Sequence, residues 1–217
     1  MFLAGPLRLI VILMKYPPRD PDDVVTLIDQ NPLCWLVSAG AAGFGASPLP
    51  LLAECDADGS LVALLGHMAI ANPQVALLRQ QPSALVLVNG PQAYISPELL
   101  SNPTWVPTWN YAAATVQVDV VFVPEETGES IERLTERMEQ GRAAPWRVRD
   151  AEARLPAMLP HIIAFRAYVR TIDGRFKLGR DESKAGINEI VGNMAHGPLR
   201  DWMRLYNEER LEEETKA

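Results

Sequence analysis

The stretch from Ala112 to Val123 constrains the fold of this chain more than any other. Within it Val116, Val118, Val120 and Phe122 alternate with Gln117 and Asp119, so an extended backbone presents one face to a core and the other partly to water. Shorter apolar runs surround it at Cys34 to Ala39, Pro48 to Glu54, Ser60 to Gly66, Ala84 to Asn89, Ala93 to Ile95, His161 to Thr171 and Arg175 to Leu178. Gly40-Ala-Ala-Gly43, Asp56-Ala-Asp-Gly59, Gly90-Pro91 and Asp173-Gly174 separate these runs and read as turns. Strands do not alternate regularly with helices. The pattern predicts an antiparallel barrel or sandwich, mainly β in an α+β chain.

Helices are few. Asp20-Pro21 predicts a helix start, with Asp20 as cap and a stop near Asn31 before Pro32. Asn72-Pro73 opens a second helix by the same logic, ending near Gln81. Thr127 to Gln140 forms an amphipathic helix, with Ile131, Leu134 and Met138 on one side and Gly141 as terminator. In the tail, Leu199, Trp202, Met203 and Tyr206 make an apolar stripe that must pack on something, while the acidic end from Glu208 to Glu214 stays solvated. That stripe is one reason to expect a dimer, and truncation after Gly197 would test it.

With 217 residues, 48% of them hydrophobic, the chain can bury a full core, and no linker divides it. The expected division is an N-terminal extension at 1–13, a barrel domain at 14–197 and an amphipathic helix at 198–217. The extension, apolar but interrupted by Arg8, is too short to span a bilayer and is not followed by a cleavage site. A cytoplasmic location with no membrane contact is expected. The formal charge of −7 argues against direct binding to nucleic acid. Cys34 and Cys55 form no disulfide framework, and Cys34 reads as a buried, inert thiol.

Chemistry-bearing residues gather where the apolar runs end. His67 falls between a strand and the helix capped at Asn72, with Gln74 close by; an imidazole there could donate to a cofactor oxygen or ligate a haem iron. Tyr94 and Ser96, with Thr108, Trp109 and Asn110, place hydroxyls, an amide and an indole in two loops stiffened by Pro97 and Pro107. A flat polar ligand needs such apolar walls with a few hydrogen bonds at its rim. Arg166, Arg170, Arg175, Lys177 and Arg180 form a local basic stretch, of which one or two should meet an anion such as a phosphate. His161 and His196 lack such company. The Gly40 to Gly45 segment has the wrong spacing for a dinucleotide loop, and no P-loop, nucleophile elbow or zinc-ligand cluster is present.

The words Gly66-His67-Met-Ala-Ile-Ala-Asn72-Pro73-Gln74, Gly90-Pro91-Gln-Ala-Tyr94-Ile-Ser96-Pro97, Pro107-Thr108-Trp109-Asn110-Tyr111, Glu139-Gln-Gly-Arg-Ala-Ala-Pro145-Trp146 and Phe176-Lys177-Leu178 carry a resemblance. Over roughly Met14 to Ile190 the chain resembles the PaiB-type family of FMN-binding negative transcriptional regulators. The resemblance implies an FMN-binding split β-barrel with peripheral helices and a C-terminal helix, working as a homodimer with the flavin between subunits. It implies cofactor contacts at His67, Asn72, Tyr94, Ser96, Thr108, Trp109 and Asn110, with Lys177 and Arg180 toward the phosphate. The chain departs from the family pattern at Pro48 and Gln92, where many relatives carry histidine, and at Gly179-Arg180 after Lys177-Leu178. The family also resembles haem-dependent piperazate synthases, which implies an alternative enzyme with His67 as axial ligand. A flavin-dependent oxidoreductase is a further alternative.

Overall fold

The computed structural model describes residues 15–40, 43–151 and 154–211. The expected extension at 1–13 and the last part of the acidic tail lie outside the described residues. Six antiparallel strands close into a barrel in the order β1-β2-β3-β6-β5-β4: β1 (Leu33–Gly40), β2 (Gly43–Cys55), β3 (Leu61–Ala69), β4 (Ser83–Ile95), β5 (Thr108–Phe122) and β6 (Ile162–Lys177). Asn110, Ala112, Ala114, Val116, Val118 and Val120 of β5 all point inward and are buried, so the alternation read from the sequence is the barrel's own inside-outside pattern.

Two expected turns are not turns. Gly90-Pro91 lies within β4, where a register shift between Asn89 and Gln92 takes up the extra residues and one strand, β5, pairs with both halves. A Cβ on Gly90 would come within 2.8 Å of the Ala112 carbonyl oxygen, which explains the glycine without a turn. Asp173-Gly174 likewise stays in β6, opposite Thr115 and Ala114. In both places a long continuous partner strand overrides the local turn preference.

The helices decorate this barrel. Helix α1 (Asp22–Gln30) starts later than expected: Asp20 accepts from the Asp22 N–H, whereas Asp23 Oδ2 accepts from the N–H groups of Arg19 and Asp20. Helix α2 (Pro73–Gln80) has the expected cap, the Gln74 N–H donating to Asn72 Oδ1 at 2.9 Å. Helix α3 (Thr127–Glu139) covers the outside of β3 and β6, and Gly141 follows it at φ +81°. A short turn of helix, α4 (Leu155–Met158), precedes β6. Helix α5 (Lys184–Asn193) was not anticipated, although Ser183 caps it through Gly186 N–H and Ile187, Ile190 and Val191 give its buried face.

Helix α6 (Pro198–Tyr206) buries its whole apolar stripe within its own chain. Tyr206 stacks on Phe176 of β6 with ring centroids 5.5 Å apart and planes 9° apart, and Trp202 meets the same ring at 5.5 Å. The stripe therefore plugs a barrel end and does not supply the expected dimer surface. Among the described residues no helix is long and apolar enough to cross a membrane.

Candidate cofactor ledge on the outer barrel face

Strand register assembles the densest group of expected site residues. Gln92 of β4 lies opposite Tyr111 of β5, which lies opposite Lys177 of β6; one step along, Tyr94 lies opposite Trp109. Their neighbours Ala112, Ile95 and Phe176 are buried, so these five side chains share the outer face. Tyr94 and Trp109 remain 53% and 49% exposed, an unusual cost for two adjacent large rings unless something covers them. Their centroids are 6.1 Å apart with planes tilted by 58°, and Trp109 Nε1 donates to Gln92 Oε1 at 3.1 Å. Gln92 thus fixes the indole at one of the positions where the chain departs from the family pattern. The result is a preorganised aromatic ledge.

At its end Lys177 Nζ donates to Thr108 Oγ1. Among the described residues Lys177 enters no ion pair, unlike the cations before it: Arg166 is held by Glu54 and Glu126, Arg170 by Asp119 and Arg175 by Asp173. Arg170 and Arg175 lie on the wet face, whereas Arg166 is largely covered between its two carboxylates. An aromatic ledge ending in a positioned ammonium matches the needs of a ring system carrying a phosphate. Ring, amide and cation are therefore present for a flat ligand that carries an anion.

The remaining expected residues lie off the ledge. His67 sits on the outside of β3 beneath α3, its Nδ1 3.5 Å from Ser130 Oγ, and burial lowers its pKa from 6.5 so that the ring is held neutral. It pairs with Ala164 at one end of β6, whereas Lys177 is at the other end. Asn72 spends both ends of its amide on structure, Oδ1 on the helix cap and Nδ2 on Ser47 Oγ at 2.9 Å. Gln74 beside it is buried, and its Nε2 lies within 3.1 Å of Leu36 O, Ser38 Oγ and Gly45 O, tying α2 to the β1–β2 hairpin. Ser96 caps a short 3-10 turn at Pro97–Leu99, and Asn110 faces inward with Nδ2 3.6 Å from Met203 Sδ. Gly179, at φ +80°, turns the chain so that Arg180 lies over the Tyr206 ring and donates to Pro17 O, away from Lys177. Tyr111 and Gln92 complete the ledge yet were not singled out as its members, since only strand register places them there.

A second feature adjoins the ledge. On β1 and β4 the outward side chains Leu33, Trp35 and Leu85 are exposed, with Val37 and Leu87 between them, because their neighbours Cys34, Leu36, Ala84 and Val86 point into the barrel. Cys34 is one of these inward residues, and burial pushes its thiol up to about 12.

Comparison with known proteins places these features among relatives. Residues 12–171 match the family described as "Putative FMN-binding domain". An uncharacterised protein of Emericella nidulans is 30% identical over 217 aligned positions covering 84% of each chain. The Bacillus subtilis "Protease synthase and sporulation protein PAI 2" is 28% identical over 131 positions, covering 59% of this chain and 62% of its own length. Among solved structures, the FAD and heme binding protein from Mycobacterium smegmatis superposes with a TM-score of 0.58 at 16% identity, covering 84% of this chain and 82% of that one. The shared fold is the flavin-binding split barrel.

Proposed function

This chain belongs to the putative FMN-binding domain family and is itself similar to the PAI 2 protein, and from that premise we propose that it is a flavin-binding homodimer. The observation that carries the reading is the ledge: two adjacent exposed rings, an amide that locks one of them and an unpaired lysine, all set on one face by register. Tyr94 and Trp109 would hold the isoalloxazine, and Lys177, with Thr108, would hold the phosphate. When bound, FMN supplies a flat redox-active ring; the residues of this chain bind it, orient it and shield one side from water.

The partner of this protomer is a second copy, seated on the apolar patch of Leu33, Trp35 and Leu85 next to the ledge. Such a patch, continuous with half a ligand site, is what an interface between copies covers. A regulatory role of PaiB type then works through a bound ligand or a protein partner, because the net charge of −7 opposes direct contact with DNA phosphates.

Titrating the purified protein with FMN while recording the visible spectrum and the sedimentation mass tests both parts. Saturable flavin binding by a species of twice the chain mass is expected. A Soret band that excludes added flavin would give the site to haem instead, and a flavin-loaded monomer would remove the second copy from the reading.

A further inference from the structure

Beside the ledge, a groove of about 600 Å³ runs between residues 91–96, at the end of β4, and residues 193–200, from the end of α5 into the first turn of α6. It exists because β4 pairs with β1 only over Ala84–Leu87; farther along, the second edge of β4 has no strand neighbour among the described residues. Pro91, Leu99, Met194 and Pro198 make the walls, and two of these four are prolines, which keep the backbone of the groove stiff. Gln92 and Tyr94 belong both to the groove and to the ledge, so the two spaces are continuous.

The lining says what fits. Among the described residues no carboxylate borders the groove. Its one guanidinium, Arg200, is 6% exposed and engaged by the protein, with Nε donating to Val191 O at 2.7 Å and Nη1 2.7 Å from His196 Nδ1. What remains at the rim is neutral. Asn31 and Asn193 each donate one amide N–H, to Leu27 O and Leu99 O, and Gln92 Oε1 accepts from Trp109, so what these side chains offer is neutral amide N–H and C=O. Apolar walls with a few neutral donors and acceptors select a ligand of the same kind: a cation would be desolvated with no carboxylate to meet it, and the Arg200 guanidinium that an anion would seek already spends its Nε on Val191 O and faces the His196 ring with Nη1.

We propose that this groove is the seat of a second ligand, a flat, uncharged heteroaromatic molecule of one or two rings, lodged against Tyr94 beside the ledge. The seat goes beyond the flavin reading and stands without it, because apart from Gln92 and Tyr94 its lining lies outside the ledge.

Protein labelled with ¹³C at the methionine methyls reports directly, with Met194 in the groove and Met68 inside the barrel as the reference. The probe is 2-quinolinone, compared with naphthalene-2-sulfonate and 2-naphthylmethylammonium, an anion and a cation of similar size. Quinolinone should move the Met194 methyl saturably, leave Met68 in place and bind at least about tenfold more tightly than either ion. Ala195→Trp, at an exposed position lining the groove, should abolish the shift while leaving the thermal melt unchanged. Equal or tighter binding of an ion, an unsaturable shift, or a shift that survives Ala195→Trp overturns the proposal. If FMN itself moves Met194 and loses affinity in Ala195→Trp, the groove is part of the flavin seat; the inference then falls while the flavin reading stands. If quinolinone binds and FMN does not, the flavin reading falls and the groove keeps its ligand.

Discussion

Gln74 illustrates how a residue inside a functional-looking motif can be structural. Its amide nitrogen faces three acceptors, and Gln74→Leu would keep the volume but leave them without that donor. A loss of about 2 to 3 kcal/mol in urea unfolding is expected, against almost none for an exposed change such as Gln80→Leu. His67 makes a prediction of a different kind. Burial lowers its pKa in the folded state, so the unfolded chain takes up the proton first. The stability His67 allows is full above about 6.5, its ordinary value, and is lost as the pH falls from there toward the lowered folded value. Unfolding measured at pH 7.5 and pH 5.5 should show a drop that His67→Gln reduces. The motif text joined His67, Asn72 and Gln74 because they are close in sequence; their side chains point to a helix, a cap and a hairpin, which spacing along a strand-helix junction does not reveal.

Among the elements, α3 is clasped to the barrel by charge. Arg166 of β6 reaches Glu54 of β2 at 2.8 Å and also Glu126, while Arg133 of α3 reaches Glu54 at 2.7 Å. Burial would push the Glu54 carboxyl up, but the bonds from Arg166 and Arg133 together outweigh it and hold the group below its usual range. Glu54→Gln should therefore loosen α3, which faster amide exchange over Thr127–Glu139 would report, with about 1 to 2 kcal/mol lost overall. Helix α6 matters more. Truncation after Gly197 strips Trp202 and Tyr206 from Phe176 and Met203 from Asn110, and the expected outcome is loss of cooperative unfolding, not a folded monomer. The stripe was plain in the sequence as an i, i+3, i+4, i+7 pattern; its partner was not, because periodicity gives a face without saying what covers it. The same limit explains β4 and β6, where glycine-containing pairs read as turns until the long partner β5 is seen to run past both.

At the scale of the molecule, the barrel was legible because inside-outside alternation survives in β5 and turn residues mark most strand ends. The site was legible only as a set of words. Tyr94, Thr108, Trp109 and Lys177 do come together, yet through register across three strands, and register also brings in Gln92 and Tyr111, whose place a linear reading gives no way to fix. Arg180, three residues beyond Lys177, departs because one left-handed glycine turns the chain. The most direct measurement is FMN affinity by flavin fluorescence quenching in Trp109→Ala, Lys177→Ala and Arg180→Ala beside the unaltered protein. If the ledge holds the cofactor, the first two weaken binding by about tenfold each, an aromatic contact or a phosphate charge being worth about 1 kcal/mol or more, and Arg180→Ala leaves it within about twofold. Unchanged affinity in Trp109→Ala and Lys177→Ala would contradict the assignment.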